Sequence, residues 1–312
     1  MVRDYRRMDS FGSRLARDLV KNYGLYLLLV PAILFYTLFC YKPLYGAIIA
    51  FKRYVPTKGI IASPWVGLTH FEAFFGSYYF WRLLRNTLTI SLSSLVIGFP
   101  APIIFALLLN ELRSERFKKI VQTVTYLPHF ISMVVMCSMI ILFLSPSSGV
   151  LNRIIEILGG QSVYFMGKPE YFKTIYVLSG VWQNTGWSSI IYMAALSGID
   201  PQLHEAATID GASRLQRVWH INLPGILPTA VILLIMNCGS LMSIGFEKAF
   251  LLMNDLNRAA AEIISTFVYQ RGLIDRNYSS AAAIGLFNSV VNLAIILFVN
   301  KVANKVSGSG LW

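Results

Sequence analysis

An all-α polytopic membrane protein with six transmembrane helices is the fold class this sequence predicts, and two observations carry the prediction. The first is composition. Of 312 residues, 55% are hydrophobic and only 13% charged, where a soluble domain carries about a quarter charged residues. The second is distribution. The apolar residues gather in six runs, 24–51, 84–109, 120–144, 173–196, 229–252 and 281–302, each close to or above the ~20 residues needed to cross a hydrocarbon core. Backbone groups in lipid must be paired within the segment, so the runs have to be helices rather than open strands.

The segment 1–23 is a basic tail. Met8, Phe11, Leu15 and Leu19 recur at helical spacing, with Arg14, Arg17 and Lys21 between them. That pattern fits an amphipathic helix on the inner leaflet, and equally a disordered basic tail. The apolar run behind it is too long for a signal-peptide core and lacks a small-x-small site, so no cleavage is expected. Lys42-Pro43 interrupts the first span near its far end and predicts a kinked turn there. Residues 52–81 are too few for an independent domain. They include Trp65-Val66-Gly67-Leu68-Thr69-His70-Phe71, with Phe80-Trp81 at the far end.

Gly98, Pro100 and Pro102 cluster midway along the second span, and Pro128 sits in the third within Tyr126-Leu127-Pro128-His129-Phe130. Proline frees carbonyls and bends helices, which makes these positions either hinges beside a passage or static packing kinks. His129 has no second metal ligand near it in sequence and is expected to be a hydrogen-bonded packing residue. The charged loop 110–119 carries no chemistry. Cys40, Cys137 and Cys238 are scattered, odd in number and set in apolar runs, so they read as packing residues.

The fourth and fifth spans carry more polarity than lipid tolerates without protein or water beside it. The fourth contains Trp182, Asn184, Thr185 and Trp187; the fifth contains Asn237, Ser240 and Ser243, followed by Gly245-Phe246-Glu247-Lys248. Flat aromatic faces and amide groups suit a sugar ring. Asn237, Ser240 and Glu247 fall near one helical face. Interfacial aromatics and interhelical hydrogen bonds would produce the same pattern. In the sixth span Asn288 and Asn292 lie one turn apart, and Ala281-Ala282-Ala283 with Gly285 suit close helix packing.

Between the fourth and fifth spans lies a polar, helix-breaking stretch, 199–228. Asp200 and Pro201 open a helix as an N-cap and a first-turn proline do. Glu205, Ala206 and Ala207 continue it, Asp210 follows, and Gly211 ends it, because glycine accepts positive φ without steric cost. A second short helix is expected over 212–219, stopped by Pro224 and Pro228. The spacing Glu205-Ala206-Ala207, three residues, Gly211, nine residues, then Ile221-x-Leu223-Pro224 resembles the EAA loop of permease subunits of binding-protein-dependent ABC importers, and every fixed position matches.

That resemblance extends over nearly the whole chain and implies the type I ABC importer permease fold, with the loop as a cytoplasmic coupling helix. The stretch 65–71 resembles maltose-type sugar permeases, without the large insertion found in the maltose permease. Tyr41-Lys42-Pro43-Leu44-Tyr45-Gly46 and Gly245-Phe246-Glu247-Lys248 resemble the lipoprotein-associated and alginate-type oligosaccharide subgroup. The implied partners are a second homologous permease, two copies of a cytoplasmic ABC ATPase that binds the ATP, and an extracellular sugar-binding lipoprotein or periplasmic binding protein. In maltose-type relatives, sugar contacts fall on the fourth and fifth spans, near the positions of Asn184, Thr185 and Ser243 here.

The implied layout is a tail 1–23, a permease domain 24–305 and a C-terminal tail 306–312, in a bacterial inner membrane with both termini cytoplasmic. Basic residues divide almost evenly between the two sides, so charge alone does not set the orientation; the basic tail before the first helix favours this one. A net charge of +12 in so apolar a chain points to anionic lipid headgroups rather than nucleic acid. The sequence has no phosphate-cradling Gly-rich loop with its Lys and Ser or Thr. Leu158-Gly159-Gly160-Gln161 is similar to an ABC signature only by coincidence. The chain is therefore expected to be a transport subunit and not an enzyme, with no cofactor or metal of its own. A metal or amino-acid importer would share the loop. An ion-coupled carrier would need carboxylates inside the spans, where the sequence has almost none.

Overall fold

The structure is a computed structural model that describes residues 11–307 and residue 310. Among these the chain is helical, and its one strand-like feature is an isolated antiparallel bridge between Lys52 and Trp65. Helix α1, Phe11–Lys21, covers part of the predicted tail helix, whose Met8 lies outside the described residues. Helix α2 runs Tyr23–Phe51, α3 Tyr79–Asn110, and α4 Glu115–Phe130 is followed by α5 Met133–Phe143. Then come α6 Pro169–Ser197, α7 Pro201–Ile209, α8 Arg214–Cys238, α9 Phe246–Leu252, α10 Ile264–Tyr269 and α11 Tyr278–Ser307.

Four of these, α2, α3, α8 and α11, are each long and apolar enough to span a bilayer, and α4 with α5 makes a fifth if that broken pair is one crossing. Helix α6 has 29 residues, about 43 Å at 1.5 Å per residue. Its central polar stretch lowers its apolarity.

Two predicted spans differ from the structure. The third is not one helix: α4 and α5 meet at 101°. Pro128 opens the tight turn Leu127–Phe130, Ile131 is extended, and Ser132 restarts the chain by capping α5 at Val135 N–H. The fifth begins earlier than expected. No stop occurs at Pro224 or Pro228; α8 passes through both, so the second short helix of the polar loop is its first turns.

The reason is local. Residues Val218–Asn222 form a wider π-type turn in which Leu223 N–H reaches back to Val218 O, and that altered register removes the need for the donor Pro224 lacks. Helix α2 repeats the device: Tyr36–Tyr41 is a π-type turn directly before Lys42-Pro43. At its other end α8 breaks after Cys238, and the chain resumes as α9, so 229–252 is a helix, a loop and a short helix.

Helix α6 is the centre of the bundle and packs against α3, α4 and α8. A Cβ added at Gly186 would lie 2.1 Å from the Thr125 carbonyl oxygen, so α6 and α4 touch backbone to backbone, as small residues allow in membranes. Three apolar clusters hold the bundle. One gathers Ile90, Met136, Phe172, Tyr176 and Leu252; the second Phe74, Leu83, Met242, Phe267 and Ile284; the third Ala106, Tyr192, Leu196 and Ile226. Two polar contacts tie elements together: Arg82 with Glu262, and Asn86 with the carbonyls of Ala259 and Glu262. From Tyr23 to Tyr45, α2 is exposed at every residue but Tyr26, an apolar surface that this chain does not cover. Of the cysteines, Cys137 and Cys238 are buried and Cys40 is exposed on α2.

Candidate functional site: a braced hook beneath a polar cavity

The stretch between α6 and α8 is a self-braced hook. Asp200 caps α7 by accepting Gln202 N–H at 2.9 Å, and Pro201 takes the first helical position. At the far end Gly211 has φ +77°, and Ala212 N–H reaches Ala207 O at 2.8 Å, the wrapped carbonyl-capping pattern that requires a left-handed residue. Ser213 then opens α8 with a reciprocal capping box to Gln216. Arg217 donates to Thr208 Oγ1 at 2.8 Å and ties the two arms together.

Little of this surface is covered. Glu205, Ala206, Asp210, Gly211 and Pro224 are exposed, and Ala207, Ile221 and Leu223 are half-buried. Leu203, Ile209, Leu215 and Trp219 also face outward, Ile209 at 86% exposure. The hook is a short element stiffened by internal bonds that leaves large apolar side chains exposed. Its feet are fixed: Ile199 and Leu223 pack on the third apolar cluster, and a Cβ at Gly225 would meet Ile199 at 2.5 Å. Asn222, between Ile221 and Leu223, is fully buried with neither amide atom hydrogen-bonded. Its place at the free position of Ile-x-Leu-Pro gave no signal in sequence.

Above the hook, α3, α6, α8 and the α8–α9 loop enclose a cavity of about 520 Å³. Asn184, Thr185, Asn237, Ser240 and Ser243 line it, together with Ser91, Gln183 and Tyr176. Asn288 and Asn292 of α11 both donate to Ser243 Oγ, at 3.2 and 2.7 Å. Trp182, Trp187 and Glu247 lie off the lining. Trp182 and Glu247 are exposed, and Trp187 stacks on His129 with ring centroids 4.7 Å apart. His129 Nδ1 is 3.2 Å from Asn184 Oδ1, so this histidine joins the α4–α5 corner to the cavity wall as a packing and hydrogen-bonding residue.

Lys248, not Glu247, is the charged residue on the lining, and Ser91 and Tyr176 join it there without a signal in sequence. Lys248 is 4% exposed, and the apolar-run pattern gave no sign that it, rather than Glu247, turns inward. Leu158-Gly159-Gly160 is a helix terminus: Gly159 has φ +82° and Gly160 N–H bonds to Ile155 O at 2.8 Å. Among the described residues no cluster of His, Cys, Asp or Glu could hold a metal.

A helical membrane bundle, a polar chamber within it and an exposed, braced loop joining two chamber walls define a transport permease. Residues 98–308 match the family described as binding-protein-dependent transport system inner membrane component, and the chain belongs to that family. It is 43% identical over 299 residues to the polygalacturonan/rhamnogalacturonan transport system permease protein YteP of Bacillus subtilis, covering 96% of this chain and 93% of the relative. It is 42% identical over 294 residues to protein LplB of the same organism, covering 94% and 92%. Among solved structures it is similar to a bacterial ABC transporter involved in the import of the acidic polysaccharide alginate, with TM-score 0.88 and 42% identity over 94% of this chain and 99% of that one. A second structure, of a bacterial alginate ABC transporter in complex with an alginate pentasaccharide-bound periplasmic protein, gives TM-score 0.89 at 41% identity, covering 96% and 100%.

Proposed function

We propose that the chain is one membrane subunit of an ATP-driven importer that moves a sugar or oligosaccharide delivered by an external binding protein. One observation carries the mechanism. The hook joins the C-terminal end of α6 to the N-terminal end of α8, and both helices wall the cavity through Asn184, Thr185 and Asn237. Force on the hook therefore acts directly on two walls of the chamber.

In this reading a cytoplasmic ATPase pair holds one hook from this chain and one from a second, related permease. Nucleotide-driven closure of the pair carries the hooks and tilts α6 and α8 between inward-open and outward-open forms, because the docked motor prefers one form over the other. Glu205 meets a basic group on the motor, the small side chains of Ala206 and Ala207 permit close approach, and Gly211 holds the turn. The polar lining passes the sugar along hydroxyls and amides. The uncovered α2 gives its apolar surface to lipid or to the second permease. Both termini then lie in the cytoplasm, with 1–23 and 306–312 as tails of a permease domain 24–305.

The test places a single cysteine at residue 205 of the assembled importer after the three native cysteines are replaced. A thiol crosslink to the ATPase whose yield changes on adding ATP is the expected result. Labelling of that cysteine by an impermeant reagent from outside intact cells, or a crosslink to no ATPase, overturns the reading.

A further inference from the structure

We infer that Lys248 is a binding group for a sugar carboxylate, which makes the cavity a passage selective for acidic saccharides. The inference deepens the carbohydrate reading above and rests on it.

Lys248 is the one charged residue among those lining the cavity. An ammonium group at membrane depth is costly and is retained where it pairs with an acid or serves a function. No carboxylate among the described residues forms an ion pair with it. Its Nζ instead donates to the Tyr176 backbone oxygen at 2.6 Å and lies 4.5 Å from the Tyr176 ring centroid. Those contacts orient the ammonium without neutralising it. The amine has three N–H groups, and the carbonyl takes one.

The surroundings leave room for the group. A Cβ at Gly180 would stand 3.2 Å from Nζ, and one at Gly245 would stand 2.8 Å from Tyr176 Oη. Glycine at both positions makes room for Nζ and Oη in the cavity wall, where Lys248 is 4% and Tyr176 6% exposed. Lys248 also sits in the first turn of α9, where the helix dipole disfavours a cation, so local helix energetics do not account for the residue. Neutral hydroxyls and amides make up the other polar lining, including Asn184, Asn237, Ser240 and Ser243. That combination suits a sugar bearing one acidic group per ring: neutral donors and acceptors for the hydroxyls, and one fixed cation that each carboxylate meets in turn.

The experiment compares the complete importer in proteoliposomes, with its binding protein, carrying wild-type permease, Lys248→Met or Lys248→Arg. The probes are radiolabelled trigalacturonate and its fully methyl-esterified form. The binding protein's preference is common to all three samples and cancels when each variant is divided by wild type. Lys248→Met is expected to lower kcat/KM for trigalacturonate by about tenfold or more, the scale of one charge-assisted hydrogen bond, while the ester changes less than about twofold. Lys248→Arg retains the preference for the acid. Equal losses for both probes, or no loss for either, would make Lys248 a structural tie and overturn the assignment. If Lys248→Met fails to assemble, Lys248→Gln, recovered as a monodisperse complex, replaces it under the same criteria. A wild-type importer that accumulates a neutral saccharide but not trigalacturonate sinks the Lys248 assignment alone. One that accumulates no saccharide sinks the carbohydrate reading beneath it.

Discussion

Replacing Gly211 should uncouple the importer in a graded order that its backbone geometry sets. Its φ is +77°, and a Cβ built there meets nothing within 4 Å, so any penalty comes from conformation and not from a clash. Alanine in the left-handed region costs about 1–2 kcal/mol, and a 1.4 kcal/mol cost is about tenfold in population. Gly211→Ala should therefore lower the population of the gripped hook by roughly five- to thirtyfold. Asparagine tolerates this region better, and Gly211→Asn should lose less.

Proline is a different case. Its ring holds φ near about −65°, far from the observed value, and it removes the N–H that bonds Thr208 O at 3.1 Å. Gly211→Pro must open the turn and separate Arg217 from Thr208. Saccharide-stimulated ATPase activity of the reconstituted complex should fall in the order Gly, Asn, Ala, Pro, with the last at the unstimulated level. Thermal unfolding of the membrane domain should hardly move, because the hook packs on it only through its feet. A Gly211→Pro complex with wild-type stimulation would refute the reasoning, and so would an alanine variant weaker than the proline one.

Two further predictions concern the frame that holds the cavity. Gly186→Ala forces a Cβ to within 2.1 Å of Thr125 O, so α6 must move off α4; the expected outcome is a sharp fall in properly assembled protein, read as the monodisperse fraction after extraction. Glu262→Leu leaves the half-buried Arg82 without its partner, a loss of about 1–3 kcal/mol for a polar group left unpaired, and should lower the melting temperature in detergent. Adding Arg82→Met to it should restore much of the loss, because the uncompensated charge is then gone.

The hook was legible because its instructions are local. Asp200-Pro201 and Gly211 each fix a turn within four residues of themselves, and the structure shows those bonds; the Ser213–Gln216 capping box is seen in the structure alone. The helices were legible as apolar runs for the same reason. Proline was harder, since the residue by itself does not fix whether the helix stops. At Pro43 and Pro224 a preceding π-type turn absorbs the missing donor and the helix continues, whereas at Pro128 the preceding segment is regular α-helix and the chain folds over by 101°. Pro31 and Pro228 also sit inside continuing helices without such a turn, so the residue type alone does not set the outcome.

The cavity shows the limit of periodicity more sharply. Helical spacing placed Glu247 on a face with Asn237 and Ser240, and that inference assumes one unbroken helix. The chain leaves helical geometry after Cys238 and resumes at Phe246, so the phase is reset by about seven residues of loop. After the reset, Lys248 faces the chamber and Glu247 faces out. A break of this kind inside a membrane is tolerated only where protein or a polar cavity receives the freed backbone groups. Here Ser91 of α3 donates to Leu241 O, and Asn292 of α11 accepts Met242 N–H at 2.9 Å. Ser91 of α3 and Asn292 of α11 thus pair the backbone of the loop after which Lys248 turns toward the cavity.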